Sequence, residues 1–372
     1  MAVWFVSVGG MEAAGLCVNR RCGAAIVRMT LAVMLLAASW SPRAAAQFFA
    51  FSQPYNAQVF MNPALVGKAD YMRTSAIFRN QWMNAKSPYN TFAVSYDMRF
   101  GPASYHAIGI SFVNDMLGAM NRPVIQYPEV HVAYSFSFSP TYDITLRFGL
   151  EGGVMMKSVN YNHLIFPDEL TAPVEEPGAA LPQPLATSSP YQSRTRVQPD
   201  FAVGFDMDWL ALNWGVSVHH ISSPRFDVRS DDNLKIAPIV EAHISYAYNI
   251  YRLYRFKVPL YITPHLIFHQ QRRNLRLSAG LAVDYRMVHA SLWVRETLLH
   301  ESHAMAVSLG YIGKYFDLGY TYDMSFLPEK MIGGQMSVHE VAVTVKFMYR
   351  RQNLLRSPFG NSKRYRSRAR RR

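Results

Sequence analysis

Twelve histidines could supply metal ligands or a catalytic base. His219 and His220 are adjacent at a predicted strand end, so their side chains should leave opposite faces and not share an ion. His300 and His303 fall in one predicted loop with Glu296 and Glu301. With carboxylate help such a set could hold a divalent cation, although a solvated polar loop has the same composition. His339 and Glu340 open the last predicted strand, again on alternate faces. The chain contains no HExxH, P-loop or GxSxG motif. A serine–histidine dyad on a barrel wall is compatible with the spacing, but no pair is singled out. The GLEGG stretch at 149–153 is no phosphate cradle, because no helix follows it. The expectation is a protein that is not an enzyme, with neither metal nor cofactor.

The elements that must hold these residues are strands. Half of the 372 residues are apolar, 13% are aromatic and only 17% are charged, where a soluble domain carries nearer about a quarter charged. Segments of roughly ten residues alternate apolar or aromatic with small or polar side chains, as in Tyr89–Arg99, Glu129–Phe138, Pro238–Asn249 and Val338–Tyr349. That length crosses a bilayer as a tilted strand, and the period of two turns one face to lipid and the other to a lumen.

Fourteen strands are predicted, near 71–82, 89–99, 104–114, 127–138, 143–157, 200–209, 212–220, 238–249, 258–268, 276–286, 288–296, 304–313, 315–324 and 338–349. The connections after odd strands are long (83–88, 115–126, 158–199, 221–237, 269–275, 297–303, 325–337), and those after even strands short apart from 250–257. This rhythm suits an all-β transmembrane barrel with both ends in the periplasm. The predicted organisation is a signal peptide over 1–46, an N-terminal periplasmic or plug segment over 47–70, an outer-membrane barrel over 71–349 and a basic disordered tail over 350–372.

The formal charge of +13 sits at the ends. Residues 1–46 hold four arginines against Glu12, the tail holds ten Lys or Arg and no acid, and 47–349 holds 24 basic and 24 acidic residues. A neutral body offers no face to a nucleic-acid backbone. Arg20, Arg21 and Arg28, then the apolar run Met29–Ala38 and Ala44–Ala46, read as a secretory signal cleaved before Gln47. Cys17 and Cys22 both fall in it, so the mature chain would have no cysteine. Beyond it no apolar run is long enough for a spanning helix. The tail, with Arg366, Arg368, Arg370, Arg371 and Arg372, could contact anionic envelope material or an acidic partner.

Several stretches, taken in order, resemble the PorP/SprF family of outer-membrane proteins from type IX secretion and gliding systems. They are Phe51-Ser52-Gln53 with Tyr55, Asn62-Pro63-Ala64 with Gly67, Arg79-Asn80-Gln81-Trp82, Ser95-Tyr96-Asp97, Asn114-Asp115 with Gly118, and Leu164-Ile165-Phe166 with Asp168. Further on come Pro199-Asp200-Phe201 with Gly204, Gly215–Pro224 including His220, Gly319–Asp323, Gly333-Gly334 and His339-Glu340. Pro167 where glycine is expected, a proline-rich expansion over 171–198 and the arginine-rich tail depart from the pattern.

The resemblance implies an anchoring or docking component that tethers a periplasmic secretion-ring protein, a peptidoglycan-binding protein or the C-terminal domain of a secreted surface protein. The motif residues would then be docking or structural positions. Arg79 and Asp97 could pair in the lumen, Trp82 could sit in an interfacial girdle, and Asn62-Pro63 could set a turn. A second reading is a channel for hydrophobic or small substrates, which a fourteen-stranded barrel with an N-terminal plug also suits.

Overall fold

Unbroken alternation commits most of the chain to strands, and the computed structural model joins them edge to edge. The structure describes residues 51–69, 72–83, 88–100, 105–160, 194–224, 235–250, 260–272, 274–297, 302–326 and 336–347. Residues 1–46, most of 158–199 and the tail from 350 lie outside the described residues, as do His300, Glu301 and the five tail arginines.

The strands are β1 (Met72–Gln81), β2 (Tyr89–Phe100), β3 (His106–Ala119), β4 (Arg122–Thr141), β5 (Ile144–Val159), β6 (Arg194–Trp209), β7 (Leu212–His219), β8 (Ile239–Tyr246), β9 (Tyr248–Asn249), β10 (Leu260–Gln271), β11 (Asn274–Tyr285), β12 (Val288–Thr297), β13 (Ser302–Ile312), β14 (Phe316–Phe326) and β15 (Met336–Phe347). All the pairings are antiparallel, and β8 and β9 both pair with β10 as two parts of one stave interrupted at Ala247. β15 closes on β1 from Met72↔Phe347 to Gln81↔Val338. The result is a closed barrel of fourteen staves, as the alternation predicts. Closure leaves no unpaired edge, which a wall in hydrocarbon requires.

The two faces differ as a lipid-embedded wall must. Outward positions such as Ile110, Val132, Leu150, Phe201, Leu292 and Val343 are exposed and apolar. Inward positions carry Ser95, Asp97, Arg147, Asp206, Thr321 and Glu340, all buried. Tyr105, Tyr142, Tyr246, Tyr285, Tyr311 and Tyr315 are exposed near the rim that holds Met72 and Phe347, where an aromatic girdle belongs. This is the terminal rim; the opposite one is the far rim.

Two far-rim connections are shorter than predicted. β3 and β4 continue pairing through most of 115–126 to a turn at Met120-Asn121, and β10 and β11 pair as far as Gln271↔Asn274. A register shift at Leu117/Gly118, with Gly118 at φ 113°, allows Pro123 into the ladder. A proline offers no N–H, so it needs such an irregularity. Asp115, expected in a loop, is therefore a buried wall residue.

At the terminal rim, Leu210 and Arg286 each begin a two-residue turn with φ 56°. The left-handed conformation costs an L-residue about 1–2 kcal/mol. Leu210→Gly is expected to raise the unfolding free energy by about 1 kcal/mol, seen as a higher denaturant midpoint of the refolded barrel.

Candidate functional site

The residues before β1 are too irregular to pair as a strand and too apolar to stay in water. Ser52–Asn62 turns through a one-turn helix, α1 (Gln58–Met61), and Asn62 then caps a 3-10 turn at Pro63–Leu65. Proline fits the first position of such a turn, where no N–H is needed. Ala57, Val59, Ala64, Leu65 and Val66 are all buried. Ala57 packs with Ile77, Ala93 and Ala342, and Val66 with Ala107 and Ala133, all from the inner face of the wall. Residues 51–69 thus lie within the barrel, held by polar contacts at three levels.

Nearest the far rim, the Glu340 carboxylate accepts the backbone N–H groups of Ser52 (2.6 Å) and Gln53 (2.9 Å). The Gln53 amide returns a bond to the Glu340 carbonyl at 3.2 Å, and the Ser52 hydroxyl donates to Asp323 at 3.0 Å. Arg79 stands 3.6 Å from Glu340, and Arg295 pairs with Asp323. A buried carboxylate that accepts two N–H bonds beside a guanidinium is far better solvated than a bare one.

At mid-height, Asn62 accepts from its own turn at Ala64 (2.9 Å) and donates across to the carbonyls of Phe205 (3.1 Å) and Val216 (3.3 Å). Ser217 and His219 donate to the Met61 carbonyl at 2.8 and 3.0 Å. Two wall glycines make room here: a Cβ on Gly149 would meet the Ala64 nitrogen at 2.2 Å, and one on Gly204 the Asn62 side-chain oxygen at 2.0 Å. Gly204→Ala is therefore expected to push Asn62 off its two carbonyls while leaving the β6–β7 pairing intact. Proteolysis in detergent would then cut within 51–69 at least about tenfold faster than in the parent, following the open population; an unchanged rate would mean the segment is not held there.

Toward the terminal rim, Asp97 accepts from the Gly67 N–H at 2.8 Å and pairs with Arg73 at 2.5 Å, while Arg73 also reaches Gln58 at 2.8 Å. Arg99 donates to the Gly67 carbonyl. Beside this, Arg147 donates at 2.6 Å to both Asp206 and Asp208. Asn213 donates to the same two carboxylates at 2.7 and 2.9 Å, and His243 lies 3.2 Å from Asp206. Lys68, at the end of the segment, completes the cluster at 3.6 and 3.5 Å from the two aspartates.

The expected Arg79–Asp97 pair does not form. The register places Arg73, not Arg79, opposite Asp97, and Arg79 opposite Thr91 and Glu340. Nor do His219 and His220 point apart: His220 adopts φ 56° just beyond β7, and both imidazoles are buried. His220 lies 2.8 Å from Asp200, which His131 approaches at 3.3 Å. Ser222 donates to Asp200 and to the Pro199 carbonyl, so Ser222 and His220 share the Asp200 carboxylate.

Asp115 accepts from Tyr89 and Thr91 at 2.6 Å each, which ties β2 to β3 away from the segment. Asn80 bonds Asn90 at 2.6 Å, Gln81 ends β1, and Trp82 follows it at φ 60° with its ring near Tyr89. His339 meets the Tyr320 hydroxyl at 2.9 Å, on an exposed pair. His303 and Glu296 are exposed and 3.8 Å apart. Among the described residues no group of three or more His, Cys, Asp or Glu is placed to hold a metal. Residues not singled out in the sequence make much of this network: Arg73 reaches Gln58 of the segment, and Asp206 and Asp208, held by Arg147, face Lys68 at its end. The readable signal was a charged residue on the inward phase of strands whose outward phase is strongly apolar.

A closed wall with an apolar exterior, a polar interior and its own leading segment bound inside defines an outer-membrane β-barrel protein. Residues 44–345 match the model of the type IX secretion system membrane protein PorP/SprF family, and the chain belongs to that family. It is accordingly an outer-membrane component of a type IX secretion system. No curated protein matches it in sequence. Among solved structures it is similar to the CymD monoaromatic hydrocarbon channel, at 9% identity and TM-score 0.47 over 82% of this chain and 95% of that one. It is also similar to a Pseudomonas aeruginosa FadL homologue, at 11% identity and TM-score 0.39 over 78% and 94%.

Proposed function

We propose that the chain is a non-catalytic anchor of the secretion apparatus, tethering a periplasmic secretion-ring or peptidoglycan-binding protein to the outer membrane. The observation that carries this reading is the three-level attachment of residues 51–69 to walls on different sides of the lumen. Glu340 on β15, the β6–β7 carbonyls and Asp97 on β2 hold one short segment at once. A lumen crossed in this way suits an anchor, whereas a channel needs that space as a route. Both barrel ends lie on the terminal rim, which in such barrels faces the periplasm, so the basic tail after β15 would emerge where ring components stand.

The test is a pull-down from gently solubilised outer membranes, comparing the full chain with one truncated after Tyr349. Secretion-ring or peptidoglycan-binding proteins should co-purify with the first and be lost with the second. A barrel that purifies alone in both forms would overturn the anchor and put a channel in its place.

A further inference from the structure

Between the start of the inner segment and the wall of β8, β10, β11 and β12 lies a cavity of about 650 Å³, open space at its mouth included. Its polar ring is set by register: Glu241 opposes His269, and His269 opposes Arg276. Glu241, His269, Arg276 and Arg295 each lie two residues inside the far-rim end of their strands, so the polar ring stands near that rim. Its body is apolar, formed by Phe51 and Phe60 from the segment and by Ile267 and Trp293 from the wall. The Phe51 and Phe60 rings are 5.2 Å apart, and Trp293 is fully buried.

Three guanidiniums serve this part of the lumen. Arg295 has Asp323 and Arg79 has Glu340, but Arg276 has no carboxylate within 4 Å among the described residues. Glu241 leans instead toward His269, at 3.9 Å. A half-buried guanidinium without a counter-ion is costly, and its planar fork matches a carboxylate with two parallel N–H bonds. Glu241 in the ring, and Asp323 paired with Arg295 behind it, penalise a multiply charged anion such as a phosphate, which leaves room for a single negative charge.

We infer that this cavity binds a small amphiphilic monocarboxylate, with the carboxylate on Arg276 and the apolar body against Phe51, Phe60, Ile267 and Trp293. Small-molecule sites are mostly apolar with a few placed polar groups, and the lining has that character. The inference is independent of the anchoring role.

The test uses the full chain in lipid nanodiscs, with empty nanodiscs subtracted, and calorimetric titration of 2-naphthoate against its neutral twin 2-naphthalenemethanol. The acid should bind at least about tenfold more tightly than the alcohol, the difference expected of one charged hydrogen-bonded contact. Arg276→Gln should abolish that preference, and Ile267→Trp, which fills the apolar body and keeps the guanidinium, should weaken both ligands. No binding of either compound, equal affinity for the two in the parent, or naphthoate binding that survives Ile267→Trp would each overturn the site. The comparison of acid with alcohol in the parent decides the matter even if a variant fails to fold.

Discussion

Arg147→Ala is expected to prevent recovery of the folded barrel. The guanidinium is fully buried and donates to Asp206 and Asp208 at once. Without it the two carboxylates, which Asn213 also serves, keep Lys68 at about 3.5 Å as their one fixed positive charge among the described residues. Removing one partner from a buried ion pair costs about 3–5 kcal/mol, because a charge is left without compensation. That is a large part of the about 5–15 kcal/mol that holds a typical domain together. Heat-modified electrophoretic mobility of refolded protein would read the loss directly. The single replacement Asp208→Asn in the Arg147→Ala background leaves Asp206 paired with Lys68 and no carboxylate in excess, and should recover most folded material. Failure of that rescue would show that Arg147 acts by packing and not by charge.

The second large effect concerns Glu340, whose replacement should free the leading segment and spare the wall. Glu340→Ala removes the acceptor of two backbone N–H groups and leaves Arg79 without a carboxylate within 4 Å among the described residues. Hydrogen bonds to charged groups contribute about 1.5–3 kcal/mol each, so the end of the segment at Ser52-Gln53 should detach. The ladder between β15 and β1 or β14 is backbone-made and survives. Planar-bilayer recordings are expected to show conductance steps for Glu340→Ala that the parent lacks. If the variant is as quiet as the parent, either the segment stays seated or it does not block the lumen; rapid proteolysis within 51–69 would separate the two. Glu340→Gln, which keeps one acceptor oxygen, should fall between.

The wall was largely legible because two requirements coincide along it: a strand period and an apolar outer row. The first strand is expected at 71–82 and found at Met72–Gln81; the last is expected at 338–349 and found at Met336–Phe347. Reading failed where alternation runs on into a turn without a glycine–asparagine signature, as at Met120-Asn121, and where one stave breaks in the middle, as at Ala247. The interior contacts were less accessible for a different reason. Alternation tells which face a side chain takes but not its height, and height decides partners. Arg79 and Asp97 share a lumen face on neighbouring strands, yet Gln81↔Tyr89 fixes the β1–β2 register so that Arg73 receives Asp97. Arg147 and Asp206 are 59 residues apart and meet only through the β5–β6 ladder. Asn62 and Glu340 stood out through family resemblance alone; that Asn62 staples a segment to two wall carbonyls required coordinates.

The bonds from Ser52 and Gln53 to Glu340 span 288 and 287 positions of sequence. Contacts this distant in sequence form late, because the intervening chain must be ordered before they can be made. The acceptor lies on β15, so a segment made before any of the strands cannot finish docking until β15 has joined the ladder at Arg79↔Glu340. Seating of Ser52-Gln53 therefore reports that the ring of strands is complete, and a barrel stalled one strand short would carry this end of the segment undocked, where a quality-control protease could recognise it.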